Sequence, residues 1–168
     1  MAPQRAGAIV MHEPWAVADT SLRWQLQALR AARLESFEAY QQLATILCFT
    51  PEYIETHADH IREHLWVNLR DRLQTHLRFI DCCIDHDGRE RLALLRAPAL
   101  LITGDGTDIM TGHRLLPALQ RLVPHAESHV MRGAPHAFFQ NPEAVVEFDT
   151  VAAGFLARHP LAGPRAAA

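Results

Sequence analysis

Apolar and polar residues in the C-terminal part of the chain alternate between strand and helix patterns. Residues 99–103 are apolar up to a final threonine, which is typical of a strand buried on both faces, and residues 104–108 interrupt the run with glycines and aspartates. Residues 112–123 place leucines and a valine at helical spacing, and residues 127–131 predict a second strand. His136 lies on the loop just beyond. This order predicts a parallel βαβ unit in which the aspartates and the histidine follow the carboxyl ends of strands.

The preceding part of the chain has one more strand pattern and a series of helix patterns. Residues 7–12 form a short apolar run that predicts a strand, after which Glu13-Pro14-Trp15 turns the chain. From Asp19 onward, apolar residues recur at helical spacing, with capping residues before them. The first expected helix begins at Asp19 or Thr20, the second runs from Ser36 to about Phe49, and the third runs from Pro51 to about Arg72. A fourth helix passes through Leu77, Ile80 and Ile84 and stops at Gly88.

The pattern as a whole resembles the C-terminal half of an α/β-hydrolase. In that family the catalytic acid follows the penultimate strand in a Gly-x-x-Asp type loop, and the catalytic histidine follows the last strand in a Gly-x-x-His type loop. The corresponding segments here are Gly104-Asp105-Gly106-Thr107-Asp108 and Gly133-Ala134-Pro135-His136. Asn141-Pro142-Glu143 then resembles the start of the helix that closes the family's sheet.

The resemblance implies an α/β fold, with part of an α/β-hydrolase sheet (about three parallel strands), flanking helices and an all-helical cap. In these terms the chain has four parts. They are a sheet strand and the entry to the cap at residues 1–15, the helical cap at 16–90, the C-terminal βαβα part of the core at 91–159, and a flexible tail at 160–168.

The resemblance also implies that Asp108 orients His136 and that His136 acts as a base. Asp108 lies one residue further from Gly104 than the family's loop allows, so Asp105 is the alternative acid. We favour Asp108 because the Asp-x-x-Thr that ends at Thr111 resembles the family's continuation. Without the resemblance, Asp108 would be a turn aspartate that caps the next helix, and His136 a histidine that hydrogen-bonds its own loop.

The family's serine nucleophile lies in a G-x-S-x-G motif upstream of the acid, and this sequence contains no such motif. Its three serines, Ser21, Ser36 and Ser128, are not flanked by glycines in that way. Three strands alone would also leave the edge of the first strand open, and an open apolar edge favours pairing with another chain. We therefore expect a partner, either a second copy of this chain or a separate chain that carries the N-terminal half and the serine.

These observations leave three hypotheses. The first is a protein related to ester, lactone or thioester hydrolases that acts on a small apolar ester-like substrate and lacks its own serine nucleophile. The second is a catalytically inactive α/β-hydrolase-like protein that binds a ligand or dimerises, and the third is a fragment without a selected activity. We expect hydrolysis by the chain alone to be weak or absent.

Composition narrows the range of partners. The 168 residues are 49% hydrophobic and 21% charged, as in an ordinary globular domain, and a net charge of −3 gives no reason to expect nucleic acid binding. No apolar run is long enough to cross a bilayer, so we expect no membrane association. The three cysteines favour free thiols in the cytoplasm, and no motif indicates a cofactor.

Histidines in the predicted third helix have a spacing that could chelate a divalent metal. His60 and His64 are four residues apart and share a helix face, with His57 nearby. A solvated helix face rich in His, Arg and Glu explains this segment better. We therefore expect no metal site.

Overall fold

Three parallel strands form the sheet of this protein, which is described here by a computed structural model covering residues 6–65, 71–105 and 108–160. The strands are β1 (Ile9–His12), β2 (Ala99–Gly104) and β3 (Glu127–Met131), in the spatial order β1-β2-β3. β1 begins two residues later than the pattern at residues 7–12 predicts. The number and direction of the strands agree with the expected partial α/β-hydrolase sheet.

The central strand β2 is buried along its whole length. Its register places Ile102 beside His12 of β1 and beside His129 of β3. A strand that is covered on both faces and paired on both edges requires a continuous apolar run, which explains the sequence Ala-Leu-Leu-Ile-Thr-Gly.

Seven α-helices surround the sheet in the described part of the chain. They are α1 (Thr20–Glu35), α2 (Phe37–Cys48), α3 (Pro51–His60), α4 (Leu73–Ile84), α5 (Arg89–Ala93), α6 (Leu116–Leu122) and α7 (Pro142–Arg158). The side chains of Asp19, Ser36, Thr50 and Asn141 accept backbone N–H groups at the starts of α1, α2, α3 and α7. These caps satisfy N–H groups that have no partner within the helix.

The predicted helix from Pro51 to about Arg72 is interrupted. The backbone of His57 leaves helical geometry (φ −128°, ψ 18°), α3 ends at His60, and a π-helical turn follows over Ile61–Leu65. Residues 66–70 of the predicted helix lie outside the described residues.

Two other helix boundaries differ from the prediction. α4 ends at Ile84, and Gly88 precedes α5 instead of stopping α4; its N–H donates to Ala16 O at 2.7 Å, so this residue binds the chain that leaves β1. The helix predicted at residues 112–123 starts as a 3-10 turn (His113–Leu115) before α6, because Gly112 has φ +47° and Pro117 has no N–H to donate.

The core consists of three clusters, two of which lie on the faces of the sheet. α7 covers one face of the sheet, where Phe155 packs with Leu100, Ile102 and Met131. α6 covers the other face, where Leu119 packs with Leu101. The third cluster joins α1 and α4 and includes Leu22, Leu26, Leu29 and Ile80. No helix in the described ranges has both the length and the apolar character needed to span a membrane.

The burial of Phe155 predicts a large loss of stability on its truncation. Phe155 is 1% exposed, and Phe155→Ala should lower the free energy of unfolding by about 3–5 kcal/mol because it leaves a cavity between α7 and the sheet. The matched control is Phe79→Ala on α4, which is 67% exposed and should change stability by no more than about 0.5 kcal/mol. Urea unfolding of both variants, followed by circular dichroism, tests this; equal losses would contradict the packing of α7.

Candidate active site

Asp108 and His136 meet at the carboxyl edge of the sheet. Asp108 lies on the loop after β2 and His136 on the loop after β3, and since the two strands are parallel neighbours their loops emerge side by side. Asp108 Oδ2 lies 3.2 Å from His136 Nδ1. The Asp108 side chain is fully buried, and the His136 side chain is 28% exposed. The structure therefore brings the favoured acid and the histidine into hydrogen-bond contact.

The Asp108 carboxylate is held by its own loop. Its Oδ1 accepts the backbone N–H groups of Met110 at 2.9 Å and Thr111 at 3.1 Å. Burial acts to raise the pKa of Asp108, but hydrogen bonds from His136, Glu13 and the Thr111 N–H outweigh it and hold the pKa well below the usual range. Asp108 is consequently ionised at neutral pH.

The alternative acid, Asp105, has a different contact. Its Oδ1 accepts the N–H of Gly133 at 2.7 Å, and its own N–H donates to Met131 O at 3.3 Å. Asp105 thus ties the loop after β2 to the turn after β3. Asp108 lies one residue further along the loop than the family's spacing, and its side chain still contacts His136.

His136 lies at the wall of an open cavity of about 420 Å³. The cavity is lined by aromatic, apolar and histidine side chains: His12, Cys48, Phe49, His136, Ala137, Phe138 and Phe139. Burial acts to lower the pKa of His136, but the hydrogen bond and the charge of Asp108 reverse this and raise it. A histidine with an acceptor on Nδ1 has Nε2 left as its second reactive nitrogen, as a general base requires.

A third site residue, Glu13, was not anticipated from the sequence, which indicated only a turn at Glu13-Pro14-Trp15. Glu13 immediately follows β1, is 3% exposed and has φ +47°, which is uncommon for a non-glycine residue. Its Oε2 accepts the Gly112 N–H and the Thr111 hydroxyl, both at 3.0 Å, and its Oε1 accepts the Gly104 N–H. The sequence signal that could have indicated Glu13 was its position directly after an apolar strand. The carboxyl end of that strand lies at the same edge of the sheet as the starts of the Asp108 and His136 loops.

His12 precedes Glu13 and separates the cavity from α7. Its ring packs edge-on against Phe138 and Phe148, with centroid distances of 4.7 and 5.6 Å. Burial, followed by the charge of His136, lowers the pKa of His12 to about 4, and the charge of Asp108 opposes this. His12 is therefore neutral at physiological pH. The charged group in contact with His136 is Asp108.

Glu13, Asp108 and His136 each offer a ligand atom, and these atoms lie within 4.8 Å of one another, which is the spacing of a metal site. Their lone pairs are already engaged: Glu13 accepts three hydrogen bonds, and Asp108 accepts backbone N–H groups as well as contacting His136. The arrangement is that of a hydrogen-bond network, and no metal is required to hold these groups together.

The histidines of α3 are not assembled into a site by the described residues. His57 stacks on Tyr53, at a centroid distance of 4.1 Å, and its Nδ1 lies 3.1 Å from Tyr53 O. The kink at His57 changes the regular helical spacing on which the possible chelate depends. The side chain of His64 lies outside the described residues.

None of the three serines, all of which lie in the described ranges, lines the cavity beside His136. Ser36 Oγ caps α2, Ser128 Oγ accepts a hydrogen bond from Gln120, and Ser21 is exposed on α1. Cys48 lines the cavity, but burial and then the charge of Asp108 raise the pKa of its thiol to about 11. It is therefore a poor nucleophile at neutral pH.

Comparison with known protein families finds no matching family, and no curated protein matches the sequence. Solved structures do match, and hydrolases are among them. An α/β-hydrolase enzyme, MGS-M2, from a Medee basin deep-sea metagenome library superposes with a TM-score of 0.73 at 21% identity, covering 92% of this chain and 57% of that one. The enol-lactonase from Burkholderia xenovorans gives a TM-score of 0.72 at 18% identity, covering 89% and 56% of the two chains. A thermophilic esterase gives 0.67 at 20% identity, covering 93% and 58%.

The chain has a partial α/β-hydrolase fold. This confirms the fold class expected from the sequence, with three parallel strands, flanking helices and similarity to part of the larger hydrolase structures. The chain spans 56–58% of the length of these three structures.

The Asp108 to His136 contact predicts a pH-dependent contribution to stability. Because the folded-state pKa of His136 is raised, the contribution is fully present below the unfolded pKa of about 6.5 and is lost as the pH rises through the folded value. Asp108→Asn should therefore destabilise the fold by roughly 1.5–3 kcal/mol at pH 5.5 and by less at pH 9. Urea unfolding at both pH values measures the difference. Asp149→Asn, at an exposed site on α7, is the control, and an equal cost of Asp108→Asn at both pH values would argue against a charged contact.

Proposed function

We propose that this chain is the acid-and-histidine half of an α/β-hydrolase-type ester hydrolase. In this proposal Asp108 orients His136, and His136 takes a proton from a nucleophile that lies outside these residues, in an upstream segment or in another chain. The observation that carries the proposal is the 3.2 Å contact between Asp108 Oδ2 and His136 Nδ1, made by a buried carboxylate to a histidine at the wall of an apolar cavity. The bond cleaved would be an ester, lactone or thioester.

The proposed proton transfer by His136 depends on the negative charge of Asp108. The ionised Asp108 fixes a proton on His136 Nδ1 and stabilises the imidazolium that forms when Nε2 accepts a second proton. The Asp108 charge raises the pKa of His136, which strengthens it as a base. Phe49, Phe138 and Phe139 line the cavity and would accept the apolar part of a small ester.

In this proposal the nucleophile lies in an upstream segment or in another chain. The sequence has no G-x-S-x-G motif, and none of its serines lines the cavity beside His136 in the described residues. In the family that the fold resembles, the motif lies upstream of the acid, and the solved hydrolases extend well beyond the part that this chain covers. Both observations support a serine contributed by a further segment.

This proposal predicts that reactivity depends on the added segment. The purified chain alone should show no labelling by a serine-reactive fluorophosphonate and no p-nitrophenyl ester hydrolysis beyond that of His136→Ala. Mixing it with a hydrolase N-terminal half that carries G-x-S-x-G should produce labelling, and His136→Ala should reduce hydrolysis by at least about a hundredfold. The matched control is His125→Ala, an exposed histidine that contacts Ala97 O and should leave the rate unchanged.

Two results would count against the proposal. Enzyme-like turnover by the chain alone, abolished by His136→Ala, would show that the nucleophile lies within these residues. A complex that labels and hydrolyses equally well with His136→Ala would show that His136 is not the base.

The second candidate function is a ligand-binding protein without turnover. It is favoured by the apolar cavity in a chain that has no nucleophile motif. A small apolar ester should then bind the isolated chain, measured by calorimetry, and be recovered intact. Binding that is lost in Phe138→Ala while no hydrolysis occurs with any added segment would favour this candidate.

We also propose that the free edge of β1 is an interaction surface. The N–H groups of Ile9 and Glu13 donate to Pro98 O and Ile102 O of the β2 segment, both at 2.9 Å, so the alternate residues Val10 and His12 direct backbone groups away from β2. Among the described strands, β1 pairs only with β2. Either a second copy of this chain or a separate chain with the N-terminal half would satisfy these groups.

The edge proposal predicts that the isolated chain self-associates through β1. Light scattering after size-exclusion chromatography should show a dimer or larger species. Val10→Pro should convert it to a monomer, because proline removes an N–H on the open side and leaves the bonds to β2. Circular dichroism confirms that the variant folds. A dimer that persists in folded Val10→Pro, or a wild-type monomer that binds no added half, would contradict the proposal.

A further inference from the structure

We propose that Glu13 is a positioning residue that forms a proton-sharing carboxyl pair with Asp108 and thereby sets the protonation state of His136. The inference rests on the proposed function for its catalytic meaning, since it concerns the same histidine. Glu13 immediately follows β1, a strand whose loop carries neither the acid nor the base, and its contacts are independent of those between Asp108 and His136.

Glu13 contacts both ends of the acid loop, the segment from Gly104 to Gly112 that carries Asp108. Its carboxyl group accepts the N–H of Gly104, at the end of β2, and the N–H of Gly112, four residues after Asp108. It also accepts the Thr111 hydroxyl at 3.0 Å, and that oxygen lies 3.4 Å from Asp108 Oδ2 and 3.5 Å from His136 Nδ1. One side chain therefore holds both ends of the loop and contacts Asp108 and His136 through one hydroxyl group.

The two glycines allow the backbone at each end of this loop to pack closely. A Cβ on Gly104 would lie 2.2 Å from Ala134 O, and a Cβ on Gly112 would lie 2.8 Å from Asp108 O. Side chains at either position would push the loops apart. The Gly104 end of this loop therefore lies close both to Glu13 and to the loop that carries His136.

An oxygen of the Glu13 carboxyl group lies within 4.8 Å of an oxygen of the Asp108 carboxyl group. Two buried carboxyl groups at this distance favour sharing one proton, because like charges in a low-dielectric site repel. Burial, then the Asp108 neighbour, raises the pKa of Glu13 to about 7. The pKa of Asp108 is instead held low by contact with His136. The proton of the pair is therefore held by Glu13, which becomes ionised as the pH rises through neutrality.

Other titratable groups also face Glu13. His12 Nε2 lies 3.7 Å from Glu13 Oε1, and Cys82, Cys83 and His86, from the end of α4, share a cavity wall with Glu13. The low pKa of His12 keeps it neutral near pH 7. Asp108 and His136 are then the charged groups nearest to the Glu13 carboxyl, and ionisation of Glu13 further raises the pKa of His136.

The test is a nuclear magnetic resonance titration of the full chain, which needs neither a nucleophile nor turnover. In the wild-type protein the side-chain carboxyl carbon of Glu13 should titrate near pH 7, and His136 should show a second inflection at the same pH. Glu13→Gln removes the charge and keeps the shape. It should remove that inflection and increase the acid dissociation constant of His136 by roughly tenfold or more.

Two variants separate charge from structure. Glu147→Gln makes the same substitution beside a different histidine, His129, 2.6 Å away, and should leave the His136 titration unchanged. Thr111→Val removes the hydroxyl link without removing the carboxyl pair, so the Glu13 inflection should persist in His136.

The wild-type titration alone can overturn the proposal, even if Glu13→Gln does not fold. A Glu13 carboxyl that titrates near the ordinary glutamate value of about 4.3 would overturn it. So would an unchanged His136 titration in folded Glu13→Gln. Absence of hydrolysis with an added serine segment would instead count against the proposed function and leave these titrations unaffected.

Discussion

The pairing of β2 with a strand on each side determines where every group of the site lies. Because the three strands are parallel and in register, their carboxyl ends meet at one edge, and each strand delivers one acidic or basic group there. Glu13 immediately follows β1, the loop after β2 carries Asp108, and the loop after β3 carries His136.

Burial at this edge also determines the charges. A carboxylate removed from water must be compensated by donors, and Asp108 has two backbone N–H groups and His136 for this purpose. Burial, followed by the neighbouring Asp108, raises the pKa of Glu13; burial acts in the same direction on Asp108, but contact with His136 outweighs it and lowers the pKa of Asp108. Two acids of similar burial therefore have opposite shifts, and the difference comes from which of them contacts the histidine.

The three strands could be predicted because they depend on local pattern, as the continuous apolar run of β2 illustrates. Asp108 and His136 were suggested by a resemblance of their loops to a known family, and the contact between the two side chains is visible only in the structure. Glu13 could not be assigned in this way, because its role depends on the register between β1 and β2 and on contacts with residues about a hundred positions away. The break at His57 and the contact of Gly88 with Ala16 likewise depend on tertiary packing. Helical periodicity does not report such contacts.

Within the described residues, three segments of the chain hold the acid and the histidine in contact. The backbone donors to Asp108 come from its own loop, Glu13 follows β1, and the approach of the two loops is made possible by Gly104. A hydrolase half and a ligand-binding protein of the same descent would therefore share this geometry. What distinguishes them is the segment that covers the edge of β1: in a parallel α/β sheet, the strand next to β1 would end beside Glu13 and His136. A nucleophile on that strand's loop would lie within reach of the base, whereas a second copy of β1 in that place would bring another Glu13 and no serine.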